Sequence, residues 1–375
     1  MRKWLTLIAG NAAVLAVLLV LVDLGLRLTP FDYARQPAID NPHNYMVADA
    51  ELGVTHARNF PRGRQFRFRG PAYEVWTNEL GCFDEPAILT GAPYIVAIGD
   101  SFTWGYNPLE TKWASRIEKT SGVRVLKCGM NGTGTRHQII RLKRILAALP
   151  YPPALVIHLY DTTDVNDDFT FPSETVIAGQ RVENFTRIRL ADGRTDELTE
   201  EERAAKRKAI YDGNRDRLQL NSVLYSLLKI SLFVEKRVET RRLLTEGHEP
   251  EYLEWKYQFN VQLLDPKAYP YVEKRFEEHL ENLREMRETV VGVGSAYAVF
   301  HTNSFRLPDD RPLVKRLKTF LEASPNFLGW MPELDKHMFD PHWRPESEAV
   351  VAKTMLERLQ ARGMMPGARA TAFLR

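Results

Sequence analysis

The chain has 375 residues, of which 44% are apolar and 26% are charged, and its formal net charge is only +3. This length is ordinary for one large α/β domain with insertions, and the composition is that of a folded globular protein. Lysine and arginine are not concentrated among aromatic residues, which argues against nucleic-acid binding. Two cysteines, Cys82 and Cys128, are too few for a disulfide framework or a cysteine-based zinc site. They are either two buried thiols or, in an oxidising compartment, one disulfide.

The first thirty residues form a segment of their own. Arg2 and Lys3 precede an uncharged apolar run from Leu5 to Val22, which Asp23 ends. As a helix this run extends about 27 Å, close to the thickness of a bilayer core. We predict an uncleaved transmembrane signal anchor over residues 1–30, with a cleaved signal peptide as the alternative. The basic residues before the run favour a cytoplasmic N-terminus. This predicts a single-pass protein of a bacterial-type inner membrane, with its main domain facing the periplasm or outside.

After the anchor, the predicted elements alternate between strands and helices. Residues 31–92 are interpreted as a linker and N-terminal extension that packs on the main domain, which spans residues 93–365. Short continuous apolar runs are typical of strands buried on both faces, and amphipathic runs indicate helices. We predict strands over 72–78, 94–98, 123–126, 154–159 and 296–300, and helices over 113–120, 138–149, 313–321 and 346–362. This order predicts an α/β domain with a parallel sheet, in which active residues gather at the carboxyl ends of the strands.

Residues 170–290 interrupt this alternation. Charged or amphipathic helices are predicted there over 198–209, 222–238 and 268–289, so the segment is interpreted as a helical insertion.

Gly99, Asp100 and Ser101 directly follow the strand predicted over 94–98. A serine in that position can turn its hydroxyl into a cleft, and its own N–H can face a developing oxyanion. Because a serine hydroxyl is a weak nucleophile at neutral pH, it needs a neighbouring base. Ser101 is therefore the candidate nucleophile.

The candidate base is His342, on a loop just before the last predicted helix. Asp340 stands two residues earlier, close enough in sequence for its carboxylate to orient the imidazole. Asp335 and His337 repeat this spacing, and His337 is therefore the competing candidate. We favour His342 because it immediately precedes the start of a helix.

In their order along the chain, these segments resemble the SGNH/GDSL hydrolase family. Ile98 to Gly105, with its Gly-Asp-Ser, is similar to the first block of the family, and Cys128 to Gly134 is similar to the second. Asp340 and His342 correspond to the last block, with the spacing Asp-x-His instead of the frequent Asp-x-x-His. The resemblance covers residues 45–360 approximately and is weakest over the insertion.

The resemblance implies a flavodoxin-like three-layer sandwich with a central parallel sheet, and a triad of Ser101, His342 and Asp340. It also implies an oxyanion hole formed by the N–H groups of Ser101 and Gly132 with a third donor. The third block of the family, Asn-Asp, aligns with Thr163-Asp164, which puts a shorter hydroxyl where an amide normally donates. Asn166, on a longer loop, is the alternative donor.

The predicted function is that of a serine esterase acting on O-acyl esters of small molecules, glycans or lipids, with O-acetyl glycans of the envelope as candidates. One alternative is an O-acyltransferase on envelope polysaccharide, and another is a catalytically weak or inactive glycan-binding accessory protein on the same fold. No cofactor and no metal are predicted, because the acidic run from Asp161 to Asp168 lacks the spacing of a calcium loop. The predicted partners are the acylated substrate and, through the N-terminal helix, the membrane.

Overall fold

The computed structural model describes residues 2–35, 40–68, 70–172, 174–177, 180–183, 188–189, 252–253, 262–267, 270–304, 309–337 and 340–367, with short pieces between residues 199 and 235. The described helices are α1 (Arg2–Leu26), α2 (Ser101–Trp104), α3 (Trp113–Ser121), α4 (Thr135–Ala148), α5 (Asp164–Phe169), α6 (Val223–Leu232), α7 (Pro270–Gly292), α8 (Pro312–Ala323) and α9 (Pro345–Ala361). The described strands are β1 (Met46–Asp49), β2 (Gly53–His56), β3 (Arg64–Phe66), β4 (Tyr73–Val75), β5 (Ile95–Gly99), β6 (Val125–Lys127), β7 (Leu155–Tyr160), β8 (Glu174–Ile177), β9 (Gln180–Glu183), β10 (Ile188–Arg189), β11 (Tyr252–Leu253), β12 (Ala296–His301) and β13 (Phe327–Trp330). Pro30–Arg35 and Leu109–Thr111 are short 3-10 helices.

Five parallel strands form the central sheet, in the order β13–β12–β7–β5–β6. Every residue of β5 and β7 is buried, which explains why both strands are apolar in sequence apart from His158 in β7, whose ring is hydrogen-bonded to Tyr297 and Gln138. The order is that of flavodoxin-like sheets and reverses at β5 and β7, where such folds place their ligand crevice. The prediction of an α/β domain with a central parallel sheet is confirmed.

Helices cover both faces of this sheet. On one face α4, α5, α7 and α8 pack against the strands through side chains that include Ile139, Phe276 and Leu317. On the other face α3 and α9 pack through side chains that include Trp113 and Met355. The predicted three-layer sandwich is therefore present.

The N-terminal extension contains two antiparallel hairpins, β1–β2 and β3–β4, of which the sequence predicted only the last strand. Their strands are only three or four residues long, too short to give a clear alternating pattern. A third apolar cluster joins them to Trp104 and Tyr106, the residues that follow the candidate nucleophile. Cys82 and Cys128 form a disulfide that connects the extension to the segment after β6. The boundary at residue 93 stays a prediction.

Only parts of the predicted helical insertion lie among the described residues. The helix predicted over 198–209 falls mainly outside them, whereas the other two predicted helices correspond to α6 and α7. The described parts also include two antiparallel strand pairs, β8–β9 and β10–β11, which the prediction lacked. The insertion therefore combines strands and helices.

The N-terminal helix α1 contains a stretch, Leu7–Leu26, that is long and apolar enough to cross a membrane. None of this stretch is buried against the rest of the protein. It extends beyond the predicted apolar run and carries Asp23 in its last turn. The orientation and the absence of cleavage stay predictions.

Candidate active site

Ser101 is the first residue of α2 and stands at the carboxyl end of β5. The carboxylate of Asp100 caps this short helix by accepting the N–H of Phe102 at 2.9 Å. Gly99 has a φ of 153°, and a Cβ there would lie 2.5 Å from the carbonyl oxygen of Leu159 on the neighbouring strand. The turn that projects Ser101 from the sheet therefore requires glycine at this position.

His342 lies beside this serine, on the loop before α9. Its Nε2 is 2.7 Å from Ser101 Oγ, and its Nδ1 is hydrogen-bonded to the Asp340 carboxylate. Asp340 also accepts the backbone N–H of His342 at 3.0 Å, so one carboxylate fixes both the ring and its backbone. The structure thus brings the three predicted triad residues together, in the order in which an imidazole can take a proton from the hydroxyl.

Aromatic rings surround the His342 imidazole. Phe102 lies 4.7 Å from it between ring centroids, Tyr106 4.4 Å and Phe68 5.7 Å. Phe68 belongs to the N-terminal extension, so the extension contributes directly to the site. These contacts restrict rotation of the imidazole and leave its Nε2 directed at Ser101.

The competing histidine, His337, has a different partner. Its Nε2 lies 3.1 Å from the Asn107 side-chain oxygen. The amide nitrogen of Asn107 donates to the Trp343 carbonyl at 3.0 Å and to the Glu348 carboxylate at 3.1 Å. Glu348 also accepts the N–H of Trp113 at 2.9 Å, and burial raises its pKa to about 7. This buried network ties the histidine loop to the segment after the nucleophile.

Sequence analysis missed Asn107 and Glu348. For Glu348 a signal was present, because it falls at helical spacing from Val351 and Met355 on the apolar face of α9. An acidic residue at a core position needs buried donors, and here it has two. Asn107 carries no comparable signal, since its partners are distant in the chain.

Two predicted oxyanion donors have free N–H groups. Neither Ser101 N–H nor Gly132 N–H donates to an acceptor within the described part of the chain. Gly132 has a φ of 68°, and a Cβ there would collide with the guanidinium of Arg181. Arg181, on β9, lies 3.4 Å from the Gly132 carbonyl oxygen and pairs with Glu174. The hairpin β8–β9 therefore packs on the glycine turn, a contact that the sequence did not indicate.

The two candidates for the third donor differ in their surroundings. The N–H of Thr163 donates to the Asp161 carboxylate at 2.8 Å. The Asn166 amide is buried, and neither its nitrogen nor its oxygen has a hydrogen-bond partner among the residues that the structure describes. Asn166 is thus the candidate whose side-chain donor is buried and has no partner among the described residues. Which of them faces the oxyanion stays a prediction.

Buried carboxylates lie around the triad. Burial and the neighbouring Asp161 carboxylate raise the pKa of Asp100 well above its ordinary value. Asp161 accepts the hydroxyl of Thr302, and Asp164 accepts the amide of Gln138 at 3.1 Å. Over the described residues, no group of three or more His, Cys, Asp or Glu side chains is arranged to hold a metal ion. Asp161 and one oxygen of Asp164 are thus bonded to protein donors, whereas Oδ1 of Asp164 is buried and has no partner among the described residues.

The chain has no match that identifies its family. No protein-family model matches the chain, and no curated protein matches it. A solved structure, a carbohydrate esterase family 2 enzyme with a carbohydrate-binding domain from Corynascus thermopiles (Myceliophthora fergusii), aligns with 80% of this chain and 73% of its own length. The sequence identity is 9% and the TM-score is 0.30, a likeness too low to support a family or a function.

Proposed function

We propose that the chain is a membrane-anchored serine esterase that cleaves O-acyl esters, with Ser101 as nucleophile, His342 as base and Asp340 as its orienting carboxylate. The observation that carries this proposal is the 2.7 Å contact between Ser101 Oγ and His342 Nε2, with Asp340 on the opposite ring nitrogen. A hydroxyl, an imidazole and a carboxylate in this order make the arrangement that acyl transfer requires.

In the first half of the reaction, Ser101 Oγ attacks the acyl carbonyl while His342 Nε2 takes its proton. The negative charge that develops on the carbonyl oxygen is stabilised by the N–H groups of Ser101 and Gly132. Collapse of this intermediate breaks the ester bond, and Nε2 returns the proton to the leaving alcohol. In the second half, water attacks the acyl-serine, Nε2 takes its proton and passes it to Ser101, and the carboxylic acid leaves.

The proposed location is the outer face of a bacterial-type inner membrane. The apolar helix α1 supports an anchor, and Arg2 and Lys3 before it favour a cytoplasmic N-terminus. The disulfide between Cys82 and Cys128 supports an oxidising compartment such as the periplasm. An esterase held there would meet acylated envelope glycans and lipids, which are the proposed substrates.

One observation favours a second candidate, a weakly active or inactive glycan-binding accessory protein. Thr163 stands where the resemblance implies an amide donor, and its shorter side chain carries a hydroxyl instead, while its N–H is bonded to Asp161. Losing one oxyanion donor lowers turnover by roughly 100- to 1000-fold.

Covalent labelling separates these two functions. The full-length protein in detergent is treated with a fluorophosphonate, and its hydrolysis of acetyl, long-chain and O-acetylated polysaccharide esters is measured in parallel. We expect the label on the peptide that contains Ser101, together with ester hydrolysis. Ser101→Ala should lose both, whereas the control Ser121→Ala, on α3, should keep both. Hydrolysis that survives Ser101→Ala would overturn the proposal, and inertness towards every ester and the phosphonate would favour the accessory protein.

We further propose that Asn166 supplies the third oxyanion donor. Asn166→Leu should lower the turnover number by roughly 100-fold, as the loss of one donor does. It should not lower the free energy of unfolding, because the amide that it removes is buried and has no partner in the described part of the chain. Thr163→Val, which leaves the N–H bond to Asp161 in place, should change turnover by less than about tenfold. The reverse pattern in steady-state kinetics would assign the role to Thr163.

A further inference from the structure

The helix α6 is apolar on two opposite sides. Val223 is fully buried, whereas Tyr225, Leu228 and Leu232 are 42%, 57% and 56% exposed. At about 100° per residue, the three exposed side chains fall within an arc of about 60°, directed away from Val223. One side of α6 therefore packs on the protein, and the other presents a contiguous apolar surface, which we call the α6 face. The α6 face is therefore apolar surface that the described part of the protein leaves uncovered, and such patches mark contacts with a partner or a membrane.

The first turn of α6 is bonded to the last turn of the candidate membrane span. The carboxylate of Asp23, on α1, accepts the Ser222 hydroxyl at 2.8 Å and the N–H of Leu224 at 3.0 Å. Asp23 thus caps α6, although the two residues that it contacts lie some two hundred positions later in the chain. The capping bonds fix the start of α6 at the end of the span.

We propose that α6 lies in the lipid–water interface of the membrane that α1 spans, with the α6 face against the bilayer. This inference rests on the anchor in the proposed function and is independent of the esterase chemistry. The α6 face therefore acts as a second membrane contact, made by the insertion.

The position of α6 favours lipid over a protein partner. Ten residues of helix are about 15 Å long, so no part of α6 lies farther than this from the end of the span. Each interfacial layer of a bilayer is several ångströms thick, and the first turns of α6 start inside or beside it. The apolar stretch of α1 is itself unburied, so the helix to which α6 is bonded also presents an uncovered apolar surface.

The chemistry of the α6 face matches that of an interfacial helix. Tyrosine is enriched at the headgroup level, where its ring is in apolar surroundings and its hydroxyl in water. Lys229 borders the face, and its ammonium lies 5.5 Å from the centre of the Tyr225 ring. A lysine stem can cover apolar surface while its charge reaches anionic headgroups. With α1 and α6 both in contact with the membrane, the domain cannot rotate freely about a single anchor.

Depth-dependent fluorescence quenching tests this proposal on the full chain. Both native cysteines are in the disulfide, so Leu228→Cys provides one thiol for an environment-sensitive dye. The protein is reconstituted into vesicles of phosphatidylcholine and phosphatidylglycerol that contain lipids spin-labelled near the headgroup or in the acyl chain. Leu18→Cys, in α1, reports on the span, and Lys353→Cys, whose native side chain is 77% exposed on α9, is the matched water-facing control.

We expect lipid quenching at position 228 several-fold greater than at position 353, and strongest with the headgroup label. Tyr225→Cys and Leu232→Cys should behave in the same way. If position 18 is quenched while position 228 behaves like position 353, α1 is an anchor but the proposal for α6 is overturned. The α6 face would then contact water, a second copy of the chain or another protein. If position 18 is not quenched by lipid, the anchor and the proposal both fail. The ester hydrolysis assay is unaffected by either result.

Discussion

Replacing Ser101 or His342 by alanine should each lower the turnover number for an acyl ester by a factor on the order of 10⁴ to 10⁶, and replacing both should lower it no further. The reason is geometric. Nε2 of His342 is 2.7 Å from Ser101 Oγ, so the hydroxyl and the imidazole act as one proton-transferring unit. Without Ser101 the imidazole has no hydroxyl to deprotonate, and without His342 the hydroxyl has no base. Steady-state kinetics of the two single variants and the double variant measures this non-additivity.

His337→Ala is the matched control for this comparison. His337 has the same spacing from an aspartate, but its ring nitrogen contacts Asn107 and not Ser101. Turnover should therefore fall by less than about tenfold, the effect of loosening a neighbouring loop and not of losing a base. A large loss in His337→Ala with a small loss in His342→Ala would transfer the role of base to His337. Losses that multiply in the Ser101→Ala/His342→Ala double variant would show that the two residues act independently.

Removing the disulfide with the double replacement Cys82→Ala/Cys128→Ala should lower the free energy of unfolding by about 4 kcal/mol at 25 °C. The two cysteines are 46 positions apart, and opening a loop of this length returns that much conformational entropy to the unfolded chain. Because Cys128 begins the segment that leads to Gly132, catalytic turnover should fall as well. Denaturant unfolding of the full-length protein in detergent measures the first effect.

The wild-type protein unfolded in the presence of a reducing agent is the control for this measurement. Its midpoint should coincide with that of the double variant, since both lack the cross-link. An unchanged midpoint in the double variant would contradict the prediction. It would mean that the purified protein holds two thiols, and the support for an oxidising compartment would then be lost.

Local sequence was sufficient for most of the sheet domain. The mainly apolar runs predicted β5 and β7 to within a residue or two at each end, because strands buried on both faces select apolar side chains at nearly every position. The helix predicted over 113–120 is α3, and Gly122 ends it in the left-handed conformation typical of a glycine at that position. The hairpins of the N-terminal extension were not predicted, since strands as short as β3 leave no period to detect.

The sequence also determined the candidate nucleophile, because Ser101 needs only its own strand and turn to be recognised. What only the tertiary structure decided is which residues surround it. The choice between His342 and His337 depends on the approach of a loop more than two hundred residues away, and identical spacing from an aspartate cannot distinguish them. The same holds for Phe68 and Asn107, whose partners are distant in the chain. Sequence spacing specifies neighbours along one element, whereas a catalytic site joins several elements whose relative positions depend on the packing of the whole domain.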